Sequence, residues 1–167
     1  APLPRELILV IDNSGSMTGE SMAQAIEAAD RALARLRPGD RFNIVRFDDT
    51  FELLYPGPVP AQPANVARAR VFVRSLTADG GTEMLPALRA AFAGAPPAGF
   101  LRQVVLATDA AIGNEDELLR VIEAERGDAR LFPVGIGSAP NEHFLRKAAD
   151  AGRGTRAVIR DVNAVAE

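Results

Sequence analysis

The chain has 167 residues, 47% of them hydrophobic, a formal charge of −3 and a mean hydropathy of +0.02. That is enough chain for one domain with a two-sided core, and a mildly acidic balance with no basic run excludes a nucleic-acid footprint. With no cysteine and one histidine, disulfides, zinc thiolates, a cysteine nucleophile and a two-histidine zinc helix are all excluded. No apolar stretch reaches the ~18 residues of a bilayer span, so membrane insertion by this segment is not expected.

The elements alternate. Leu7–Ile11 is an unbroken apolar run, as in a strand buried on both faces. From Ser21 to Leu36, Met22, Ile26, Ala29, Leu33 and Leu36 recur at helical spacing, and Pro38-Gly39 ends the helix. Arg41–Phe47 is a second strand. Asp48-Asp49 is a turn into a third at Phe51–Tyr55, a hairpin edge. Pro56–Pro63 is a surface loop, Ala64–Leu76 a helix, and Asp79-Gly80-Gly81-Thr82 a loop into a helix at Glu83–Ala93 that holds Pro86 in its first turn. A fourth strand, Gln103–Thr108, stops at Asp109. Helix Glu115–Arg126, strand Leu131–Ile136, helix Asn141–Ala151 and strand Thr155–Ile159 complete the pattern, with Gly152 expected as a left-handed cap. A further helix start is read at 162–167. The chain begins at Ala1-Pro2 with neither a start methionine nor a signal peptide, so it is expected to be one domain, residues 1–167, excised from a longer protein.

Strand–helix alternation implies a mostly parallel α/β sheet covered on both faces. Ligands in such sheets bind beyond the carboxyl ends of strands, where the strand order reverses. The oxygen-rich segments fall at those ends. Asp12-x-Ser14-x-Ser16 closes the first strand, Asp109 closes the fourth, and Thr82 lies in a glycine-rich loop. Hydroxyls and carboxylates in this mixture suit a hard divalent cation such as Mg2+, which prefers oxygen and keeps some of its waters. Neutral hydroxyl ligands leave the ion electrophilic and a coordination position open to an outside carboxylate. Hydrolysis would also require a base beside metal-bound water. Other motifs fail on spacing. The turn Ser14-Gly15-Ser16-Met17-Thr18-Gly19 misses Gly-x-Ser-x-Gly, the single lysine, Lys147, lies in a late helix away from any phosphate loop, and Gly135-x-Gly137 lacks a third glycine.

Asp12-x-Ser14-Gly15-Ser16-Met17, Gly80-Gly81-Thr82 and Thr108-Asp109 are similar, in this order, to the three motifs of the metal-ion-dependent adhesion site (MIDAS) of von Willebrand factor A (VWA) domains. Asp40-Arg41-Phe42-Asn43-Ile44-Val45, Gly80-Gly81-Thr82-Glu83-Met84 and Phe132-Pro133-Val134-Gly135-Ile136-Gly137 resemble the inter-alpha-trypsin-inhibitor heavy-chain-like branch, whose bacterial members are surface-anchored proteins with an upstream VIT domain. The resemblance covers essentially the whole chain. It implies a three-layer, doubly wound, Rossmann-like sheet with one antiparallel edge strand and strand order 3-2-1-4-5-6. It implies that Ser14, Ser16 and Thr82 coordinate Mg2+ (or Mn2+ or Ca2+), with Asp12 and Asp109 acting directly or through water. It implies a non-enzymatic, extracellular or cell-surface module whose protein or matrix partner presents an Asp or Glu. The family usually has glycine after the last aspartate, where this chain has Ala110. If the turn requires positive φ, alanine strains it, displaces Asp109 and weakens the site. If the turn is ordinary, the change costs little.

Plainer roles stand beside these. Asp12, Ser14 and Ser16 could form a cap-and-turn cluster, Thr82 could cap the following helix, and Asp109 could be a turn residue. Glu83 suits the first-turn helix dipole better than ligation. Asp48 and Asp49 are turn residues that could also supply a second cation site at the rim, and His143 is expected to be exposed. Two functional alternatives remain: a structural module with a weakened MIDAS, and a metal-dependent hydrolase using the same ion.

Overall fold

The computed structural model describes residues 3–158. Along the chain they form β1 (Arg5–Asp12), α1 (Glu20–Ala34), β2 (Arg41–Phe47), β3 (Phe51–Leu53), β4 (Val59–Pro60), α2 (Pro63–Arg74), α3 (Met84–Phe92), β5 (Leu101–Thr108), α4 (Glu115–Glu125), β6 (Arg130–Gly135), α5 (Glu142–Ala151) and β7 (Ala157–Val158). The sheet runs β3-β2-β1-β5-β6-β7, with β4 also paired to β2. Once β4 is inserted, this is the expected order. β1, β2, β5, β6 and β7 are mutually parallel, and β3 and β4 run antiparallel to β2.

The antiparallel edge is therefore built from two short strands rather than one. β3 pairs with the end of β2 and β4 with its start, so the loop expected at Pro56–Pro63 holds a strand. Pro60 lacks an N–H and is tolerated because β4 is an edge. Gly152 does not take the left-handed conformation expected of it; its φ is −91°, and Arg153 carries the positive φ of 54°. Glycine is required at 152 for space, because a Cβ there would run into the Leu131 side chain. The strand start expected at Thr155 is shorter, and Ile159 with the helix start read at 162–167 lies outside the described residues.

β1 is buried at every position from Glu6 to Asp12, which is why its sequence does not alternate. Successive side chains point to opposite faces. Leu7, Leu9 and Ile11 pack with Met22, Ala25, Ala29 and Leu33 of α1 and Ala69 and Val73 of α2. Ile8 and Val10 pack with Met84, Leu88 and Phe92 of α3, Leu118 and Ile122 of α4, and Phe144 of α5. Chain order turns one way from β1 to β2 and the other way from β5 to β6. The switch point therefore lies between the carboxyl ends of β1 and β5.

The opposite end of the sheet carries buried charge. Glu6 is 1% exposed; its Oε1 accepts from Arg102 Nε at 2.8 Å and its Oε2 from Arg41 Nε at 3.2 Å. Arg102 Nη1 also donates to the carbonyls of Phe92, Ala93 and Gly94, closing the carboxyl end of α3. Asp40, also 1% exposed, accepts from the backbone N–H of Arg37 at 2.8 Å and of Arg5 at 3.1 Å, with both guanidinium groups at 3.6 Å. Burial alone would raise the pKa of Asp40. The two N–H donors and the two arginine charges outweigh it and hold the carboxyl below its ordinary value of 3.8. A lowered folded-state pKa supplies stability above the unfolded value and loses it as pH falls through the folded one. Asp40→Asn is therefore expected to cost about 1.5–3 kcal/mol at pH 7, the range for hydrogen bonds to a charged group. The gap from the wild type should shrink as pH drops below the ordinary aspartate value. Urea unfolding at pH 7 and near pH 3 checks this, and an equal gap at both would rule out the ionised carboxylate as its source.

Candidate metal centre

Beyond Asp12 the chain leaves the sheet through Asn13 and Ser14 and makes one 3-10 turn at Gly15–Met17. Met17 is fully buried and anchors that turn beneath the rim. The loop is thereby fixed on both sides of its hydroxyls, by the last residue of β1 and by an apolar plug.

Asp12 is 0% exposed. Its Oδ1 accepts from the Ser14 hydroxyl at 2.5 Å and the Ser14 N–H at 2.9 Å. Its Oδ2 accepts from the Thr108 hydroxyl at 2.6 Å. The Ser14 and Ser16 hydroxyl oxygens are 3.3 Å apart, with Ser14 buried and Ser16 exposed. Burial raises the pKa of Asp12, the hydrogen bonds from Ser14 and Thr108 work against that rise, and the charge of Asp109 adds to it. Asp109 is thus close enough to be felt electrostatically by Asp12. Among the described residues no arginine, lysine or histidine forms an ion pair with Asp12, whereas Glu6 and Asp40 each have arginine partners. A carboxylate in this position, beside hydroxyl oxygens, fits a divalent cation as its missing counter-charge.

Thr82 arrives on the loop between α2 and α3. Asp79 N–H donates to the Asn13 carbonyl at 3.0 Å, and Gly15 N–H donates to the Gly80 carbonyl at 2.9 Å. The first and second motifs therefore meet backbone to backbone. Gly80 has a φ of 77°, so glycine is needed there for conformation, and it lies against the carboxylate of Asp49. Thr82 is half-buried, and its hydroxyl makes no hydrogen bond among the described residues, so it does not cap α3. The cap position belongs to Glu83, which is exposed and whose N–H donates to the Asp48 carbonyl at 2.6 Å.

Asp48 serves its own turn. Its Oδ1 accepts from Thr50 N–H at 2.8 Å and lies 3.2 Å from Arg46 Nη1. Burial opposes ionisation, but the Thr50 donors and the Arg46 charge prevail and lower its pKa. Asp49 is exposed and lies against Gly80. Both aspartates are at the rim, on the flank of the Thr82 loop. His143 is exposed, as expected, and lines a shallow hollow with Glu115, Glu117 and Lys147. Among the described residues no three His, Cys, Asp or Glu side chains gather as a metal cluster; the donors at the rim are a mixture of hydroxyls and carboxylates.

The turn after Asp109 does require positive φ, and Ala110 adopts it at 58°. The strain is held in place by a hydrogen bond from Ala110 N–H to Thr108 Oγ1 at 2.9 Å and by one from Ile112 N–H to the Ala110 carbonyl at 3.0 Å. Asp109 Oδ1 accepts from Ala111 N–H at 3.1 Å, and its carbonyl accepts from Asn141 N–H at 3.2 Å. Thr108 was not among the expected site residues. The sequence shows it as half of the third motif, Thr108-Asp109, with no role of its own.

A family profile of the von Willebrand factor type A domain matches residues 5–158. Human inter-alpha-trypsin inhibitor heavy chain H4 is 32% identical over 88% of this chain, and a von Willebrand factor A domain-containing protein of Dictyostelium discoideum is 29% identical over 93% of it. The chain spans under a fifth of the length of these curated relatives, 17% and 19% respectively. Among solved structures, von Willebrand factor type A from Catenulispora acidiphila superposes with a TM-score of 0.83 at 30% identity, covering 98% of this chain and 40% of that one. Manganese-loaded TRAP protein of Plasmodium vivax gives a TM-score of 0.80 at 21% identity over 98% of this chain and 70% of its own, a likeness of fold. With that profile running from β1 to β7, the chain belongs to the von Willebrand factor type A domain family.

Proposed function

We propose that this domain is a divalent-cation-dependent, adhesion-type binding module. Asp12, Ser14, Ser16, Thr82 and Asp109 hold Mg2+ (or Mn2+ or Ca2+), and an Asp or Glu of a protein or matrix partner completes the shell. The observation that carries this reading is Asp12: a fully buried carboxylate, hydrogen-bonded by two hydroxyls and paired with no basic side chain among the described residues. When bound, the ion supplies the positive charge that the carboxylate lacks and an electrophilic position for the partner's carboxylate. The chain's own residues have separate tasks. Ser14 and Thr108 orient Asp12, Gly15 docks the Thr82 loop, and Asn141 and Ala111 hold Asp109 at the rim.

Binding is favoured over hydrolysis because the one histidine is exposed in a separate hollow and no carboxylate cluster stands by as a base among the described residues. An extracellular or cell-surface location, a bacterial surface protein as the parent chain, and placement in the heavy-chain-like branch are parts of the same proposal. The likeness to human heavy chain H4 supports the last of these.

Ala110 favours one competing reading, a structural module with a weakened site. A non-glycine left-handed residue costs about 1–2 kcal/mol. Here the methyl group is fully buried in the core, and deleting it would cost ~0.8 kcal/mol. The two effects oppose each other and partly cancel. Ala110→Gly is expected to change stability by less than about 1 kcal/mol and Mn2+ affinity by less than about twofold. Ala110→Val, β-branched at the same φ, should lose about 2 kcal/mol or more. A large rise in cation affinity on restoring glycine would favour the weakened-site reading.

Isothermal titration with MgCl2 or MnCl2 is expected to show a single site that Asp12→Ala abolishes. Equal binding by that variant would sink the proposal. Ser14→Ala combined with Ser16→Ala should remove cation-dependent partner capture while the metal-free melting temperature stays within a few degrees. A collapse of metal-free stability would instead mark the two serines as a structural cap.

A further inference from the structure

We infer that Asn13, a residue the motif leaves unspecified, is a positioning residue that sets where Thr82 stands relative to Ser14 and Ser16. The inference rests on the cation site proposed above. Thr82 has no hydrogen bond of its own among the described residues, and it lies on a nine-residue connection, 75–83, without regular structure. Its position is therefore decided by whatever ties that connection down. Asn13 supplies two of the ties. Its carbonyl accepts from Asp79 N–H at 3.0 Å, and its side-chain Nδ2 donates to the Thr77 carbonyl at 3.1 Å. Its own N–H donates to the Phe47 carbonyl at 2.8 Å, which extends the β1–β2 pairing one residue past the strand and fixes Asn13 against the sheet. Gly15 to Gly80 and Glu83 to Asp48 complete the fastening.

Asn13 is only 6% exposed, and its Oδ1 is buried with no hydrogen-bond partner. An orphaned buried acceptor is costly, and an apolar residue of similar size would avoid that cost. The amide is thus poorly explained as packing and well explained as a donor to Thr77. The backbone bonds of residue 13 survive substitution by alanine or leucine; the side-chain tie to Thr77 does not.

The test is a double-mutant cycle read by calorimetric titration with MnCl2 on Asn13→Ala, Thr82→Ala and the combination, with melting curves showing that each titrated protein is folded. Asn13→Leu, which keeps the side-chain volume and lacks the donor, serves as the second variant. Losing one hydrogen bond's worth of positioning should weaken Mn2+ binding by about five- to tenfold in Asn13→Ala and in Asn13→Leu. Because the effect passes through Thr82, the combined variant should bind no more weakly than Thr82→Ala alone. A purely structural role would lower the melting temperature and leave the affinity of the folded protein unchanged, and that result overturns the inference while leaving the site intact. Losses that multiply in the double variant overturn it too, since Asn13 would then act independently of Thr82. If the wild type itself binds no Mn2+, the site reading falls and the inference falls with it.

Discussion

The structure depends on how buried carboxylates find their counter-charge. Glu6 and Asp40, at the amino ends of the central strands, are both buried and both paired with arginines: Glu6 with the buried Arg102 and the partly exposed Arg41, Asp40 with the partly exposed Arg5 and Arg37. A buried pair such as Glu6–Arg102 is weak as a source of stability, but removing one partner leaves an uncompensated charge and costs about 3–5 kcal/mol. Asp12, at the carboxyl end of the same strand as Glu6, is buried as deeply and has only neutral donors. One strand thus carries a neutralised carboxylate at its start and an uncompensated one at its end. The asymmetry extends across the sheet. Arg5, Arg41 and Arg130 open β1, β2 and β6, while Asp48 and Asp109 follow directly on β2 and β5.

The position of the uncompensated group follows from topology. Strand order reverses between β1 and β5, so the loops after these two strands diverge and leave a crevice. Asp12 pairs across to Phe47 on one side, and Ile11 pairs with Ala107 on the other, which sets Thr108 beside Asp12. The 2.6 Å bond from Thr108 to Asp12 is a consequence of that register. Had β5 slipped by one residue, the hydroxyl would point to the opposite face and Asp12 would lose a donor.

Much of this was legible in the chain because it was written locally. An apolar run without alternation announced a strand covered on both faces, and β2 was readable to the residue. The oxygen-donor types of Asp12, Ser14, Ser16, Thr82 and Asp109 and their places at strand ends and in the glycine-rich loop were equally readable. The residues that escaped reading act through neighbours distant in sequence. Thr108 matters because of β1, 96 residues away, and Asn13 because of a carbonyl 64 residues away. β4 was hidden by its prolines, which argue against a strand everywhere except at an edge. Gly152 was read as conformational when its reason is the bulk of Leu131. At Ala110 the sequence posed two branches, and the structure takes the first in one respect: the residue adopts positive φ, with Asp109 Oδ1 accepting from Ala111 N–H beside it.

The two ends of the molecule are joined mechanically by α3. This helix of nine residues is about 13 Å long and begins immediately after the Thr82 loop. Its first turn is held at the rim by Glu83 N–H on the Asp48 carbonyl. Its last carbonyls are held at the far end by Arg102, which is itself locked to Glu6 of β1. β1 therefore fixes α3 through Glu6 at one end and, through Asn13 and Gly15, fixes the loop that feeds α3 at the other. In the binding module proposed above, a Thr82 loop clamped in this way would have little conformational freedom left to lose on binding, and binding would be stronger for the same contacts. On that proposal the buried Arg102–Glu6 pair would serve recognition by holding the far end of α3 in place.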